Sequence, residues 1–274
     1  MDGWVVPAAG AVRGQRPTWG SAPRSHQCLE VVVIHRLVLW NIDLTLVDVV
    51  QVTREACADA FRQVTGRPLV RLPQMAGMAD SEMFFDALAL NAVELAQAGQ
   101  DQVLLADYNQ ALASAFAARG DLLTTKGRLL PGAREALVAV GRLPGVVQTV
   151  LTGTIKPNAV AKLAAFGLDG LVDTEIGGYG SEPYPKGALL QVARTRAAEA
   201  RGITFGEGAT VYIGDSPRDV EAARIGGARS IAVASGRATY AELTASGPDT
   251  VLEDLADTAA VTQAVDALTR GAGR

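Results

Sequence analysis

Three polar side chains at alternate positions close one hydrophobic run. They are Asn41, Asp43 and Thr45, in Leu37-Val38-Leu39-Trp40-Asn41-Ile42-Asp43-Leu44-Thr45. Residues two apart in an extended segment point the same way. The run therefore brings an amide, a carboxylate and a hydroxyl to one spot at the end of a buried strand. Three later stretches carry groups of matching chemistry. The apolar run 146–151 ends in Thr152-Gly153-Thr154, where a hydroxyl and exposed backbone N–H groups suit a phosphate oxygen. A simple turn is the plainer reading of such a threonine. Lys186 opens a helix, where its charge opposes the helix dipole unless an anion lies near; otherwise it is a solvated lysine. The last stretch is Val211-Tyr212-Ile213-Gly214-Asp215-Ser216-Pro217-Arg218-Asp219. There Gly214 lets the backbone turn, Ser216 caps, and Pro217 takes the first helical position. Asp219 is a first-turn acid that also favours the dipole.

The elements that must position these groups follow from periodicity. Val146 to Leu151, Leu171 to Ile176, Val211 to Ile213, Ser230 to Val233 and Thr250 to Leu252 read as strands. Pro157–Phe166, Lys186–Ala200, Pro217–Ile225 and residues 257–269 read as helices between or after them. Thr239 to Glu242 is a capping box. Strands alternating with helices predict a parallel sheet with right-handed crossovers, and such sheets place ligands at their carboxyl edge. Residues 49–129 differ: they read as helices without a strand. Val49, Val52, Ala56, Cys57, Ala60, Phe61 and Val64 mark the face of the first, which ends at Gly66. Asp80 or Ser81 caps a second, which carries Met83, Phe84, Leu88 and Leu90. Asp101 starts a third with Val103, Leu104, Tyr108, Leu112 and Phe116. Pro131 starts a further helix that Gly141 closes. Residues 1–35, rich in Gly, Pro, Ala and Arg, read as a flexible N-terminal extension, with Val31 to Ile34 able to lengthen the first strand.

Composition bounds the function. The chain has 274 residues and a net charge of −4, so nucleic acid is not an expected partner. Two cysteines, Cys28 and Cys57, make no disulfide framework, which fits a cytoplasmic protein. No apolar run approaches the roughly 18 residues that span a bilayer, so no membrane partner is expected. Both histidines, His26 and His35, precede the first chemical stretch, which excludes a histidine triad or histidine zinc site further along.

The four stretches, in this order and at strand ends, resemble the motifs of the haloacid dehalogenase superfamily, in its phosphatase branch with a helical cap after the first motif. The resemblance covers about residues 36 to 256. It implies a Rossmann-like parallel core of residues 36–48 and 130–274, with a small all-helical cap of residues 49–129. It also implies Mg²⁺-dependent hydrolysis of a phosphomonoester, such as a sugar phosphate or another small phosphorylated metabolite, through an aspartyl-phosphate. Asp43 takes the acid and base role, and Thr152, Gly153 and Lys186 the phosphate. Residue 41, Asp43, Asp215 and Asp219 take the metal. Two departures stand out: Leu44 replaces the usual Gly, and Asn41 occupies the nucleophile position. Asn41 keeps an oxygen for a metal but loses a formal charge, and its amide is a poor nucleophile. Such a chain is expected to bind phosphate esters and hardly turn them over. An Asp-to-Asn change made in an active phosphatase, a phosphosugar mutase and a non-catalytic phospholigand-binding protein all fit this pattern. Met75, Met78, Asp80, Phe84 and Phe85 are the candidates for substrate choice.

Overall fold

Arg36-Leu37-Val38-Leu39-Trp40 forms strand β1 (Arg36–Trp40), and all five residues are buried. Its alternate side chains serve two cores. Val38 and Trp40 pack on one face, Leu37 and Leu39 on the other. That double burial explains why the run is continuously apolar rather than alternating. Each large side chain so buried contributes about 1.5–3 kcal/mol relative to exposure. The computed structural model describes Met1 and residues 35–73, 77–94, 100–182 and 185–270. The extension read in residues 1–35, Val31 to Ile34 within it, and the side chains of Cys28, His26 and Met75 therefore lie outside the described residues, apart from Met1 and His35.

Strands β4 (Val146–Val150), β5 (Thr210–Gly214), β6 (Arg229–Val233) and β7 (Thr250–Leu252) join β1 in one sheet of order β4-β1-β5-β6-β7. Every pairing is parallel. Helices α5 (Ala133–Gly141), α6 (Lys156–Ala165) and α10 (Thr258–Thr269) contribute to the core under Val38 and Trp40. Helices α7 (Lys186–Arg201) and α8 (Pro217–Gly226) cover the Leu37 and Leu39 face. A short α9 (Tyr240–Ala245) opens on the Thr239–Glu242 capping box, as expected. The expected α/β class with a parallel sheet is thus what forms. The chain leaves β1 for β4 on one side and later returns to β5 on the other. A crevice opens at that switch point, outside the carboxyl ends of the strands.

Within residues 49–129 the described residues form four helices: α1 (Val50–Thr65), α2 (Asp80–Leu90), α3 (Gln100–Ala117) and α4 (Leu122–Lys126). Val52, Ala56, Cys57, Ala60 and Phe61 are buried along α1, the face read from periodicity. Burial pushes the Cys57 thiol up to about 12, so it is a core residue and not a reactive thiol. Two short strands, β2 (Val47–Asp48) and β3 (Arg128–Leu129), pair antiparallel where the insertion leaves and rejoins the sheet. At two residues each they are too short to show alternation.

Three expectations are corrected. Leu171 to Ile176 makes no strand; it forms two 3₁₀ turns, Asp169–Leu171 and Thr174–Ile176. The Asp173 carboxylate accepts from the Glu175 N–H and so turns the chain there. Beyond the turns, a bridge between Leu151 and Gly178 continues the sheet past β4, with the Gly178 N–H on the Val150 carbonyl at 3.0 Å. Pro131 does not begin a helix: Gly132 follows at φ 73°, and α5 starts at Ala133. Leu90 and Val103 face solvent, not the core.

Candidate active site

The residues singled out by chemistry meet at the carboxyl end of the sheet. One cleft is lined by Asn41, Asp43, Thr152, Gly153, Lys186 and Asp215 from the sheet side. Gly77, Met78, Asp80 and Met83 face them from the insertion, and Arg237 comes from the loop after β6. The free space inside is about 70 Å³.

Asn41 directly follows β1, and its backbone N–H donates to the Ile213 carbonyl of β5 at 2.8 Å. Its side-chain nitrogen donates to the Asp43 carbonyl and to Asp215 Oδ1, both at 2.9 Å, and lies 3.3 Å from Thr45 Oγ1. The Thr45 hydroxyl in turn donates to Asp215 Oδ1 at 2.8 Å. The other end of the amide, Oδ1, faces Lys186 Nζ at 3.4 Å, long for a hydrogen bond but attractive. Leu44 sits at φ 61°, in the left-handed region. That conformation costs a side-chain-bearing residue roughly 1–2 kcal/mol and explains why Gly suits this position.

Lys186 is the first residue of α7 and is buried. The anion its position demands is Asp219, whose Oδ1 accepts from Nζ at 2.6 Å. Asp219 Oδ2 accepts from the backbone N–H and the hydroxyl of Ser216, at 3.0 and 2.7 Å. The Tyr212 hydroxyl lies 2.8 Å from Asp219 Oδ1 and 3.0 Å from the Leu151 carbonyl. Burial opposes ionisation of Asp219, but Lys186 and these donors outweigh it and hold its carboxyl below the usual range. Asp215 is treated the other way. Burial first, and then repulsion from Asp219, raise it to about 7 against the pull of Thr45, Lys186 and Asn41. Gly214 ends β5 without a left-handed φ; what it supplies is room, since a Cβ there would lie 2.5 Å from Asp219 Cβ.

Asp43 is held from the far side. Lys162 Nζ donates to Asp43 Oδ1 and Oδ2 at 2.8 and 2.7 Å, and the Thr154 hydroxyl donates to Oδ2 at 2.8 Å. Lys162, on α6, is fully buried, with Nζ 5.5 Å from the centre of the Phe116 ring of α3. The sequence reading missed it. Thr152 is buried, and its hydroxyl oxygen accepts from the Thr154 N–H at 3.2 Å, so the turn-forming reading of this threonine holds as well. Arg237, exposed at the rim, was also missed.

The insertion closes the cleft at α2. The N-cap is Ala79, not Asp80 or Ser81; the Asp80 side chain instead accepts from the Ile155 N–H at 2.9 Å. The Asp80 N–H donates to the Gly153 carbonyl at 2.7 Å. Any Cβ on Gly153 would lie 2.0 Å from the Met78 carbonyl oxygen. Of the candidates for substrate choice, Met78 and Asp80 line the cleft. Phe84 does not: it is buried and stacked on Tyr108, with ring centroids 4.2 Å apart. Phe85 packs against Phe84 at the surface.

The expected metal set does not assemble as these residues stand. The Asp43 carbonyl and Asp215 face one point, but the amide nitrogen of Asn41, not its oxygen, faces them. Both oxygens of Asp219 are taken by Lys186, Ser216 and Tyr212. Among the described residues no group of three His, Cys, Asp or Glu side chains could hold a metal ion. No helix among them is long and apolar enough to cross a membrane.

The family profile of haloacid dehalogenase-like hydrolases matches residues 38–224. A phosphoglycolate phosphatase of Haemophilus influenzae (strain 86-028NP) is 29% identical over 140 residues, which is 50% of this chain and 58% of that protein. The chain thus spans less than two thirds of that relative. A solved structure of a predicted phosphoglycolate phosphatase from Haemophilus somnus 129pt superposes with a TM-score of 0.55 at 23% identity, over 85% of this chain and 100% of that one. A beta-phosphoglucomutase candidate from Bacteroides vulgatus gives 0.59 at 16% identity, over 87% and 91%. At such identities the solved structures speak to the fold.

Proposed function

The chain belongs to the haloacid dehalogenase-like hydrolase family, and from that premise we propose that its cleft receives the phosphate of a small phosphomonoester. The attacking position there carries an amide. The observation that carries this reading is the meeting of Asn41, Asp43, Thr152 and Lys186 around one cleft at the switch point of the sheet. Lys186 and Arg237 supply positive charge, Thr152 supplies a hydroxyl, and Gly153 supplies a main-chain N–H. The free space of about 70 Å³ is far below the roughly 300–1,000 Å³ of pockets for drug-sized ligands. It favours a small metabolite, chosen by Met78, Asp80 and Met83 across the cleft.

An amide oxygen carries no formal charge and attacks phosphorus poorly. Loss of a covalent nucleophile in other enzymes costs on the order of 10⁶ in turnover. This chain therefore binds such esters and hydrolyses them slowly at most. With an aspartate in place of Asn41, the carboxylate attacks phosphorus and the ester bond breaks. Asp43, once it has taken up a proton in the ester complex, gives that proton to the leaving alkoxide, then takes one from the water that cleaves the aspartyl-phosphate. The region 49–129 serves as the cap over this chemistry.

The test assays the chain and its Asn41→Asp variant, with and without Mg²⁺, on an aryl phosphate, phosphoglycolate and a panel of hexose phosphates. Phosphate release gained by the Asn41→Asp variant is the expected result. Isomerised sugar phosphate without release would make it a mutase. Ester binding by both forms with turnover by neither would make it a binding protein. No binding by either form would overturn the reading.

A further inference from the structure

Three oxygens converge on one point beside Asn41, and a nitrogen occupies it. The Asp43 carbonyl and Asp215 Oδ1 lie 2.9 Å from Asn41 Nδ2, and Thr45 Oγ1 lies 3.3 Å away. All three residues contributing side chains are buried: Asn41, Thr45 and Asp215. A carbonyl, a hydroxyl and a carboxylate aimed at one point are the donors of a hard-cation seat. Two amide N–H groups serve them here, with the distant Thr45 oxygen sharing.

The two ends of the amide are not interchangeable. Asn41 Oδ1 faces Lys186 Nζ at 3.4 Å. Turning the side chain over would set its NH₂ against an ammonium and its oxygen against three oxygens. An aspartate avoids the choice, because it has one oxygen for the lysine and another for a cation. An asparagine that keeps its oxygen on Lys186 has only N–H to offer on the other side.

We propose that the Asn41 amide stands in for the cation. The chain holds Asp43 and Asp215 together without a metal, and it takes up Mg²⁺ far more weakly than its Asn41→Asp counterpart. This goes beyond the functional reading above and does not need it, since every measurement is made without a phosphate ester.

Calorimetric titration with MgCl₂ alone, and thermal melts in chelator and in Mg²⁺, compare the two forms. For the Asn41 chain we expect Mg²⁺ affinity lower by on the order of tenfold or more, as loss of a charged ligand dictates. Its melting temperature should be the same in chelator and in Mg²⁺. Asn41→Asp should melt lower in chelator, where the introduced carboxylate faces Asp215 unrelieved, and recover with Mg²⁺. If the substitution prevents folding without metal, refolding on Mg²⁺ addition is the same outcome. A second readout uses only the Asn41 chain. Its Asn41 side-chain NH₂ resonances should be protected from exchange and unmoved by Mg²⁺. Mg²⁺ affinity equal in the two forms, or a Mg²⁺-driven shift of those resonances, would overturn the proposal.

Discussion

Lys162 grips Asp43 by both carboxylate oxygens, at 2.8 and 2.7 Å, while its own side chain is 1% exposed and that of Asp43 29%. Among the described residues, a buried ammonium so placed has Asp43 and Thr154 Oγ1, the latter at 3.0 Å, as its hydrogen-bond partners. Removing it strands a carboxylate that still sees some water. Lys162→Met is expected to lose about 2–4 kcal/mol of stability, at or below the cost of breaking a buried ion pair. Adding Asp43→Asn should recover part of the loss. Urea denaturation of both single variants and the double variant checks the coupling.

Asp80 gives a pH dependence whose sign follows from its setting. Burial raises it to about 6 from 3.8; Lys162 and the Ile155 N–H pull down, and Asp43 pushes up. Between those two values the folded chain holds a proton that the unfolded chain has released. Stability from this group therefore falls as pH rises from about 4 to 6, and is level outside that window. The whole difference is on the order of 3 kcal/mol. Asp80→Asn keeps an acceptor for the Ile155 N–H and should flatten the slope, leaving the variant the more stable form at pH 7. Denaturation midpoints from pH 4 to pH 8 decide it; parallel curves would show that Asp80 is not what titrates.

Gly153 is a seam that admits no side chain, its would-be Cβ lying 2.0 Å from the Met78 carbonyl oxygen. Gly153→Ala is expected to cost about 2 kcal/mol or more, as overpacking does. It should also speed amide exchange at Asp80, whose N–H donates to the Gly153 carbonyl. Gly170→Ala, where a Cβ would meet nothing within 4 Å, is the control and should change neither.

Leu44→Gly tests the strain at φ 61°. Relief of about 1–2 kcal/mol opposes the lost side-chain burial and the freer unfolded chain. The net change in stability should lie within about 1 kcal/mol of zero, well short of the roughly 2–5 kcal/mol usual for truncating a buried leucine. A loss of that larger size in urea titration would mean that the backbone there is not strained.

Much of the site was legible because local signals fixed its parts. Ser216, Pro217 and Asp219 announce a capped helix after a strand, and the capping box they make is present. Alternation of strand and helix was enough to place Asn41, Thr152 and Asp215 at one edge. Lys162 was not legible, because its burial is made by Phe116 of α3 and its charge is answered by Asp43, both remote in sequence. Nor was the direction of the Asn41 amide, which depends on Lys186 to one side and Asp215 to the other. The failed strand at 171–176 has the opposite cause. Its apolar residues suit a strand, but Asp173 offers the Glu175 N–H a nearer partner than a neighbouring strand would.

The insertion returns to the sheet through one ribbon, Val47 paired with Leu129 and Asp48 with Arg128. Across the cleft it is fastened by main-chain atoms, the Asp80 N–H on the Gly153 carbonyl. The ribbon and this bond are written in backbone, with the Asp80 carboxylate on the Ile155 N–H beside them, whereas part of the cleft wall is written in the side chains of Met78 and Met83. Drift in those two methionines can retune what the cleft admits while leaving closure untouched.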